Sequence, residues 1–129
     1  MNDAAVVADA SAIIALLAGE PFTRFDALRL VNASISAVNL SEVLARLQEI
    51  GMPDREASTA LARLNLHVVA FDEQQARAAA QLRSLTRHAG LSLGDRACLA
   101  LGKELGYPVI TADRVWASLD LGVEIMVIR

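Results

Sequence analysis

Short apolar runs alternate with longer amphipathic segments along this chain, a pattern that predicts strands alternating with helices. The apolar runs predict strands at 4–8, 33–36, 67–71, 109–111 and 124–128. The amphipathic segments predict helices at 11–18, 23–31, 39–50, 55–64, 73–88 and 93–105, and a short one after Asp113. Such alternation is typical of an α/β fold with a mainly parallel sheet covered on both faces. The 129 residues fit one domain, 1–129, without linker or repeat.

The segment 39–50 has the clearest helical pattern. Its apolar residues recur at a spacing that places them on one face, and they are Leu40, Val43, Leu44, Leu47 and Ile50. Gly51 and Pro53 predict the end of this helix. Asp72 is predicted to cap the helix that follows the strand 67–71.

Acidic residues stand at the ends of predicted strands and at the starts of predicted helices. Asp9 and Asp113 follow apolar strands, whereas Glu42 and Asp95 lie in the first turns of helices. The carboxyl ends of parallel strands meet at one edge of a sheet, where open α/β folds bind ligands. Helix amino termini also favour anions. The four carboxylates are therefore predicted to converge at this edge.

Carboxylates brought close together repel one another unless a cation lies between them. Oxygen ligands without histidine or thiolate favour Mg²⁺ or Mn²⁺, and such ions in acidic pockets serve phosphoryl chemistry. Ser11 and Thr111 each lie two residues from an aspartate, so their hydroxyls are candidates for orienting a carboxylate or a metal-bound water. Ordinary turn and cap hydrogen bonds explain these two hydroxyls equally well.

Each acid also has a simpler explanation as a helix cap. Asp9 and Asp113 directly precede predicted helices, and the pairs at capping-box spacing are Asn39 with Glu42 and Ser92 with Asp95. Glu42 is in addition four residues before Arg46, the spacing of a helical ion pair. Convergence of several capping acids on one edge still favours a metal pocket.

Composition narrows the partner only partly. The hydrophobic fraction of 54% supports a core and leaves apolar surface for a partner. A net charge of −3 argues against nucleic acid. Eleven of the twelve basic residues are arginines, however, and arginine suits phosphate recognition. A GC-rich coding bias explains the arginines as well, so charge alone does not decide the partner.

The remaining reactive side chains are interpreted as structural. Cys98 has apolar neighbours and is predicted to be buried, His67 lies in a strand as core filler, and His88 is predicted to cap a helix carboxyl terminus. Two distant histidines and one cysteine give no zinc pattern, and Trp116 is predicted to pack internally. No apolar run approaches the ~20 residues that span a bilayer. The amino terminus lacks a signal-peptide pattern, so a cytoplasmic location is expected.

Four segments, in this order, resemble the acidic motifs of PIN-domain ribonucleases: DASAIIALL, SAVNLSEVL, GLSLGDRACLALG and VITADRVWA. The small size and the ending GVEIMVIR are most similar to the VapC-type toxins of bacterial toxin–antitoxin pairs. The resemblance extends from about Val6 to Ile128. Four motifs in order, with Ser11 and Thr111 in place, make it specific.

The resemblance implies which residues hold the metal. The acids that match the family's metal ligands, and hence its catalytic centre, are Asp9, Glu42, Asp95 and Asp113. Ser11 matches the serine after the first aspartate, and Thr111 the threonine before the last. Many members carry a further acid shortly after the last aspartate. Here that ligand is absent or is supplied by Asp120.

The resemblance also implies a fold, an activity and partners. The fold is a three-layer α/β/α sandwich of the PIN type. The activity is endoribonuclease cleavage of RNA phosphodiester bonds with one or two Mg²⁺ or Mn²⁺ ions. RNA is favoured in single-stranded or looped form. The implied protein partners are a cognate antitoxin and a second copy of the chain, with the chain acting as the toxin.

Other functions remain open from the sequence alone. They include a PIN nuclease that processes RNA without being a toxin, and a catalytically idle PIN-like binding module. A phospho-accepting receiver domain fits less well, because Lys103 precedes the strand 109–111 instead of following it. A haloacid-dehalogenase-type phosphatase needs a D-x-D pair, and Ser11 occupies its second position.

Overall fold

The structure is a computed structural model that describes residues 5–21 and 27–128. Strands β1 to β5 are Val7–Ala8, Ser34–Ser36, His67–Val69, Val109–Thr111 and Ile125–Val127. Helices α1 to α5 are Ala10–Leu17, Ala37–Glu49, Asp54–Leu64, Glu73–Thr86 and Leu93–Leu105. Short 3-10 helices are Ala27–Leu30, Arg87–Ala89 and Arg114–Ser118. The predicted helix 23–31 lies partly outside the described residues, and its described part is the first of these 3-10 helices.

The five strands form one sheet in the order β3-β2-β1-β4-β5, and every neighbouring pair is parallel. The chain therefore builds the sheet outward from β1 to β3 and then returns to build the other side. The central pair, β1 and β4, is where the direction of building reverses. In open α/β sheets this is the point beyond which ligands bind.

Two apolar clusters cover the two faces of the sheet. Val6, Ala8 and Ile110 pack with α1, α2 and α3, whereas Val7 and Val109 pack with α4 and α5. Successive residues of a strand point to opposite faces, so both faces of the central strands are buried. The result is the predicted three-layer α/β/α sandwich. Within the described ranges, no helix is both long and apolar enough to cross a membrane.

Helix α2 begins two residues earlier than its pattern predicted, because Ser36 accepts a hydrogen bond from Val38 N and caps it. The predicted inner face is also partly wrong. Leu44 and Ile50 are 42% and 47% exposed, and the buried positions are Asn39, Val43 and Leu47. A polar residue thus occupies the first inward position of α2, at the edge of the sheet where the acids are expected.

Several local predictions are confirmed and one is wrong. Asp72 caps α4 by accepting from Gln75 N at 2.9 Å, and Cys98 and Trp116 are fully buried. His67 does not fill the core, because β3 is an edge strand and this residue is exposed. His88 is exposed in the 3-10 helix after α4.

Close packing of α5 on β4 generates a stability prediction. A Cβ at Gly102 would overlap Cγ2 of the buried Val109, whereas a Cβ at Gly94 would meet only the flexible Glu42 carboxylate. Overpacking costs about 1–3 kcal/mol, against a gain of about 1 kcal/mol in helix propensity. We expect Gly102→Ala to lower the urea midpoint and Gly94→Ala to leave it unchanged or raised. Equal midpoints for the two variants would contradict the packing argument.

Candidate active site

Asp9 stands at the carboxyl end of β1 and is only 4% exposed. It occupies the cap position of α1, but its side chain makes no capping hydrogen bond. Instead its Oδ2 accepts from the Ser11 hydroxyl at 2.6 Å and from the Thr111 hydroxyl at 2.9 Å. Its Oδ1 accepts no hydrogen bond from any described residue. That oxygen remains available to a cation, so the simple capping explanation of Asp9 does not hold.

The two hydroxyls also join the ends of β1 and β4. Ser11 Oγ accepts from Ala112 N at 2.9 Å, and Thr111 Oγ1 accepts from Asp113 N at 3.1 Å. The hydroxyl oxygens are 3.2 Å apart. Each hydroxyl therefore donates to the buried carboxylate and accepts from the backbone of the turn after β4. This network fixes the position of the Asp113 backbone N–H. It also supports the predicted role of both hydroxyls in orienting the carboxylate.

Burial dominates the electrostatics of Asp9. Desolvation raises the pKa of its carboxyl from 3.8 to about 6, although the hydrogen bonds from Ser11 and Thr111 act to lower it. The charges of Asp95 and Glu42 raise this pKa further. Within residues 5–21 and 27–128, no arginine, lysine or histidine forms an ion pair with any of the four acids.

Glu42 lies at the exposed side of α2, one turn after the buried Asn39. Asn39 Nδ2 donates to Glu42 Oε1 and to the carbonyl oxygen of Gly94, both at 2.9 Å. The predicted ion pair of Glu42 with Arg46 is not formed, since Arg46 approaches Glu49 at 3.5 Å. The carboxylate is thus held toward the start of α5. The sequence predicts Asn39 only as a cap, although its spacing of three residues from Glu42 is also that of this contact.

Asp95 and Asp113 combine capping with a position at the same edge. Asp95 Oδ2 accepts from Ser92 N at 2.9 Å in a reciprocal capping box at the start of α5, as predicted. Asp113 Oδ1 accepts from Val115 N at 3.0 Å and caps the 3-10 helix that follows. One oxygen of each carboxylate is therefore engaged by the backbone. Both side chains are half-buried, so neither is sealed from a ligand.

The acids do not form one compact cluster. Burial raises the pKa of the Cys98 thiol well above its usual range, and the charges of Asp9, Asp95 and Glu42 add to the effect. The charges of these three acids therefore act on the same residue of α5, whereas Asp113 is connected to Asp9 through the hydroxyl network. Considering only the described ranges, no three or more His, Cys, Asp or Glu side chains are arranged to hold a metal ion.

The donor chemistry nevertheless fits a hard divalent cation. Every candidate ligand is a carboxylate oxygen, and Asp9 is a buried acid with a free oxygen and no cationic partner. A cation at this edge would offset the burial, and the smaller repulsion from Asp95 and Glu42, that raise the pKa of Asp9. Arg114 follows Asp113 and lines a surface depression with Ser11 and Ala112, so one exposed basic group borders the acids. Asp120 is exposed, and its role as a further ligand stays a prediction.

The protein is thus a parallel α/β/α sandwich that carries acids at the ends of its central strands. Comparison with known proteins identifies its family. Residues 6–121 match the PIN domain family, so the chain belongs to this family, whose members are nucleases. This confirms the family resemblance of the four motifs. No match was found among curated protein sequences.

The fold is similar to that of several solved toxin–antitoxin proteins. One is a chain of the DNA-bound VapBC complex from Salmonella typhimurium, with TM-score 0.74, 19% identity and coverage of 95% of this chain and 97% of that one. VapBC2 from Rickettsia felis, bound to a promoter fragment, gives TM-score 0.73 and 12% identity, with 94% and 96% covered. VapC20 from Mycobacterium tuberculosis, a sarcin-ricin loop cleaving toxin, gives 0.62 and 20%, with 93% and 99% covered.

The raised pKa of Asp9 predicts how the stability of the metal-free protein varies with pH. Because the pKa is higher in the folded chain, Asp9 contributes stability that is fully present below about pH 4 and is lost as pH rises through about 6. A difference of about two pKa units corresponds to about 3 kcal/mol. Asp9→Asn lacks this titration but retains an acceptor for both hydroxyls.

Urea unfolding of both proteins in chelator, from pH 4 to 7.5, measures the effect. The stability of the wild type relative to Asp9→Asn should fall by up to about 3 kcal/mol across this range. If the difference in unfolding free energy between the two proteins stays constant with pH, burial does not raise the pKa of Asp9.

Proposed function

We propose that this chain is a metal-dependent endoribonuclease, with Asp9, Glu42, Asp95 and Asp113 as its metal-binding and catalytic acids. The observation that carries the proposal is Asp9, a buried carboxylate whose one oxygen is fixed by two hydroxyls while the other is free. The charged groups that act on Asp9 are the acids Asp95 and Glu42, and no described basic side chain forms an ion pair with it. Membership of a nuclease family supports the assignment.

A bound Mg²⁺ or Mn²⁺ would supply charge neutralisation at the scissile phosphate and a water of lowered pKa. The chain's own residues supply position. Ser11 and Thr111 orient Asp9 and tie it to the turn that carries Asp113. Helix α2 carries Glu42 in its second turn and α5 carries Asp95 in its first turn, and the charges of both act on Asp9. Phosphoryl transfer depends mainly on such positioning and charge neutralisation.

RNA is the proposed substrate, and Arg114 is the proposed phosphate contact closest to the acids. It is exposed, it lines the depression beside Ser11 and Asp113, and no described ion pair engages it. A guanidinium there would hold a flanking phosphate of a single strand. The net charge of −3 does not oppose this, since bound metal would neutralise part of the acidic edge.

We also propose that the chain acts as the toxin of a toxin–antitoxin pair. Solved structures that are similar to nearly the whole chain come from VapBC and other toxin–antitoxin complexes, which supports an antitoxin as the partner of this chain. Exposed apolar side chains, among them Leu44, Leu85 and Leu93, offer area for an antitoxin and for a homodimer. The alternative is a PIN nuclease that processes RNA without being a toxin. Expression of the chain without arrest of growth would favour this alternative.

The central prediction concerns the acids themselves. Asp9→Asn and Asp95→Asn should each lower cleavage of RNA by at least about 100-fold, because each removes charge that holds the reacting groups. The chain should stay folded, since shape is nearly constant. The measurement is gel analysis of a labelled single-stranded RNA with Mg²⁺ or Mn²⁺. Arrest of growth on expression should be lost in parallel.

Asp72→Asn is the matched control, because Asp72 caps α4 after the edge strand β3, which is separated from β1 by β2. It should cleave like the wild type. Full activity of Asp9→Asn, or undiminished cleavage in excess chelator, would overturn the proposed mechanism.

The role of Arg114 gives a separate prediction. Arg114→Gln should weaken RNA binding. It should also reduce the slope of log affinity against log salt concentration by the contribution of about one phosphate contact. Arg63→Gln is the control, since Arg63 is an exposed arginine in the last turn of α3. Filter binding in Ca²⁺, from low to moderate salt, measures both slopes. Identical slopes for the two variants would exclude Arg114 as the contact.

A further inference from the structure

Asn39 joins the two helical layers above the edge of the sheet. Helix α2 packs on one face and α5 on the other, yet the amide of Asn39 connects them. Its Nδ2 donates to Glu42 Oε1 and to Gly94 O, each at 2.9 Å. An amide nitrogen carries two hydrogens, so both are used. The side chain is therefore fixed from two directions, and Glu42 is fixed with it.

This asparagine is costly as a purely structural residue. It is 0% exposed, and its Oδ1 is a buried acceptor without any hydrogen-bond partner in the described chain. The next inward positions of α2 are Val43 and Leu47, which carry no polar atom. An unsatisfied buried acceptor destabilises a fold. The amide donor, rather than the packing, is the property that distinguishes Asn39 from an apolar residue here.

Gly94 completes the contact from the side of α5. A Cβ at this position would overlap the Glu42 carboxylate, so the approach of Glu42 to the first turn of α5 depends on glycine. Asp95 follows directly in sequence, and its charge acts together with that of Glu42 on Asp9 and Cys98. Glu42 is otherwise an exposed side chain on a helix, free to take other rotamers.

We propose that Asn39 is a positioning residue that holds the Glu42 carboxylate against the first turn of α5, so that Glu42 and Asp95 bind the same cation. The inference rests on the proposed function of the four acids. Asn39 itself contacts neither metal nor RNA, and it acts through Glu42. The bond to Gly94 sets the distance between the two helix starts, and the bond to Glu42 sets the direction of its carboxylate.

The test is the affinity of the whole chain for Mn²⁺, measured by calorimetry and by electron paramagnetic resonance without RNA. Asn39→Leu keeps the volume and removes the donor, and it should weaken Mn²⁺ binding about 10- to 100-fold, as for other groups that orient a metal ligand. In a Glu42→Gln background the same substitution should have no further effect, because the ligand through which Asn39 acts is already gone.

Gln75→Met is the matched control. Gln75 is also a buried amide, 2% exposed, and its Nε2 donates to Glu104 Oε1 at 2.7 Å, between α4 and α5. Its loss should affect stability but not Mn²⁺ affinity. Gly94→Ala is the second variant, chosen because it favours the helix while displacing the Glu42 carboxylate. It should weaken Mn²⁺ binding even if Asn39→Leu fails to fold.

The outcomes separate this inference from the proposed function. If the wild type binds Mn²⁺ and cleaves RNA while Asn39→Leu or Gly94→Ala binds Mn²⁺ as tightly as the wild type, the positioning role is wrong and the function stands. An equal loss in Gln75→Met, or an undiminished loss in the Glu42→Gln background, also overturns it. A wild type that binds no Mn²⁺ overturns both.

Discussion

The charge of Asp9, held almost out of contact with water, is the constraint around which the rest of the edge is arranged. Burial raises the pKa of this carboxyl to about 6 despite two hydrogen bonds from Ser11 and Thr111, and further acids add repulsion. The described chain supplies no basic side chain to offset it. The hydroxyls fix one oxygen and leave the other free, so the geometry is prepared although the charge is not compensated.

The topology explains why Asp9 meets the Thr111 hydroxyl at this edge. The sheet order β3-β2-β1-β4-β5 places β1 and β4 at the reversal of the winding, where the connections leave in opposite directions. Asp9 follows β1, and Thr111 ends β4, so a pair of residues about a hundred positions apart become hydrogen-bonded neighbours. Helices α2 and α5, from opposite layers, carry Glu42 and Asp95, whose charges act on Asp9.

Sequence patterns predicted the layers and the order of elements because apolar runs and helical spacing report burial directly. They predicted α5 and β4 with their observed bounds, and the roles of Ser92 and Asp72 as caps. They failed for the inner face of α2, where hydrophobicity selected Leu44 and Ile50 and the structure buries Asn39. A polar residue that faces inward cannot be recognised from hydrophobic spacing, since its reason is a contact with α5, distant in sequence. The prediction that His67 fills the core was wrong because the position of its strand at the edge of the sheet depends on the whole topology.

Residues at this edge of the sheet therefore lower the stability of the fold, and the two apolar clusters offset that loss. Burial disfavours the ionised form of Asp9, and Asn39 has a buried oxygen without a hydrogen-bond partner among the described residues. Both features destabilise the metal-free fold. A bound cation would offset the first, and the second has a role if Asn39 positions Glu42 as a ligand of that cation. A cation that binds only the folded state would return stability that grows with the logarithm of its affinity. Stability and ligand binding are then two measurements of one interaction, and a substitution such as Asp9→Asn should improve the first while removing the second.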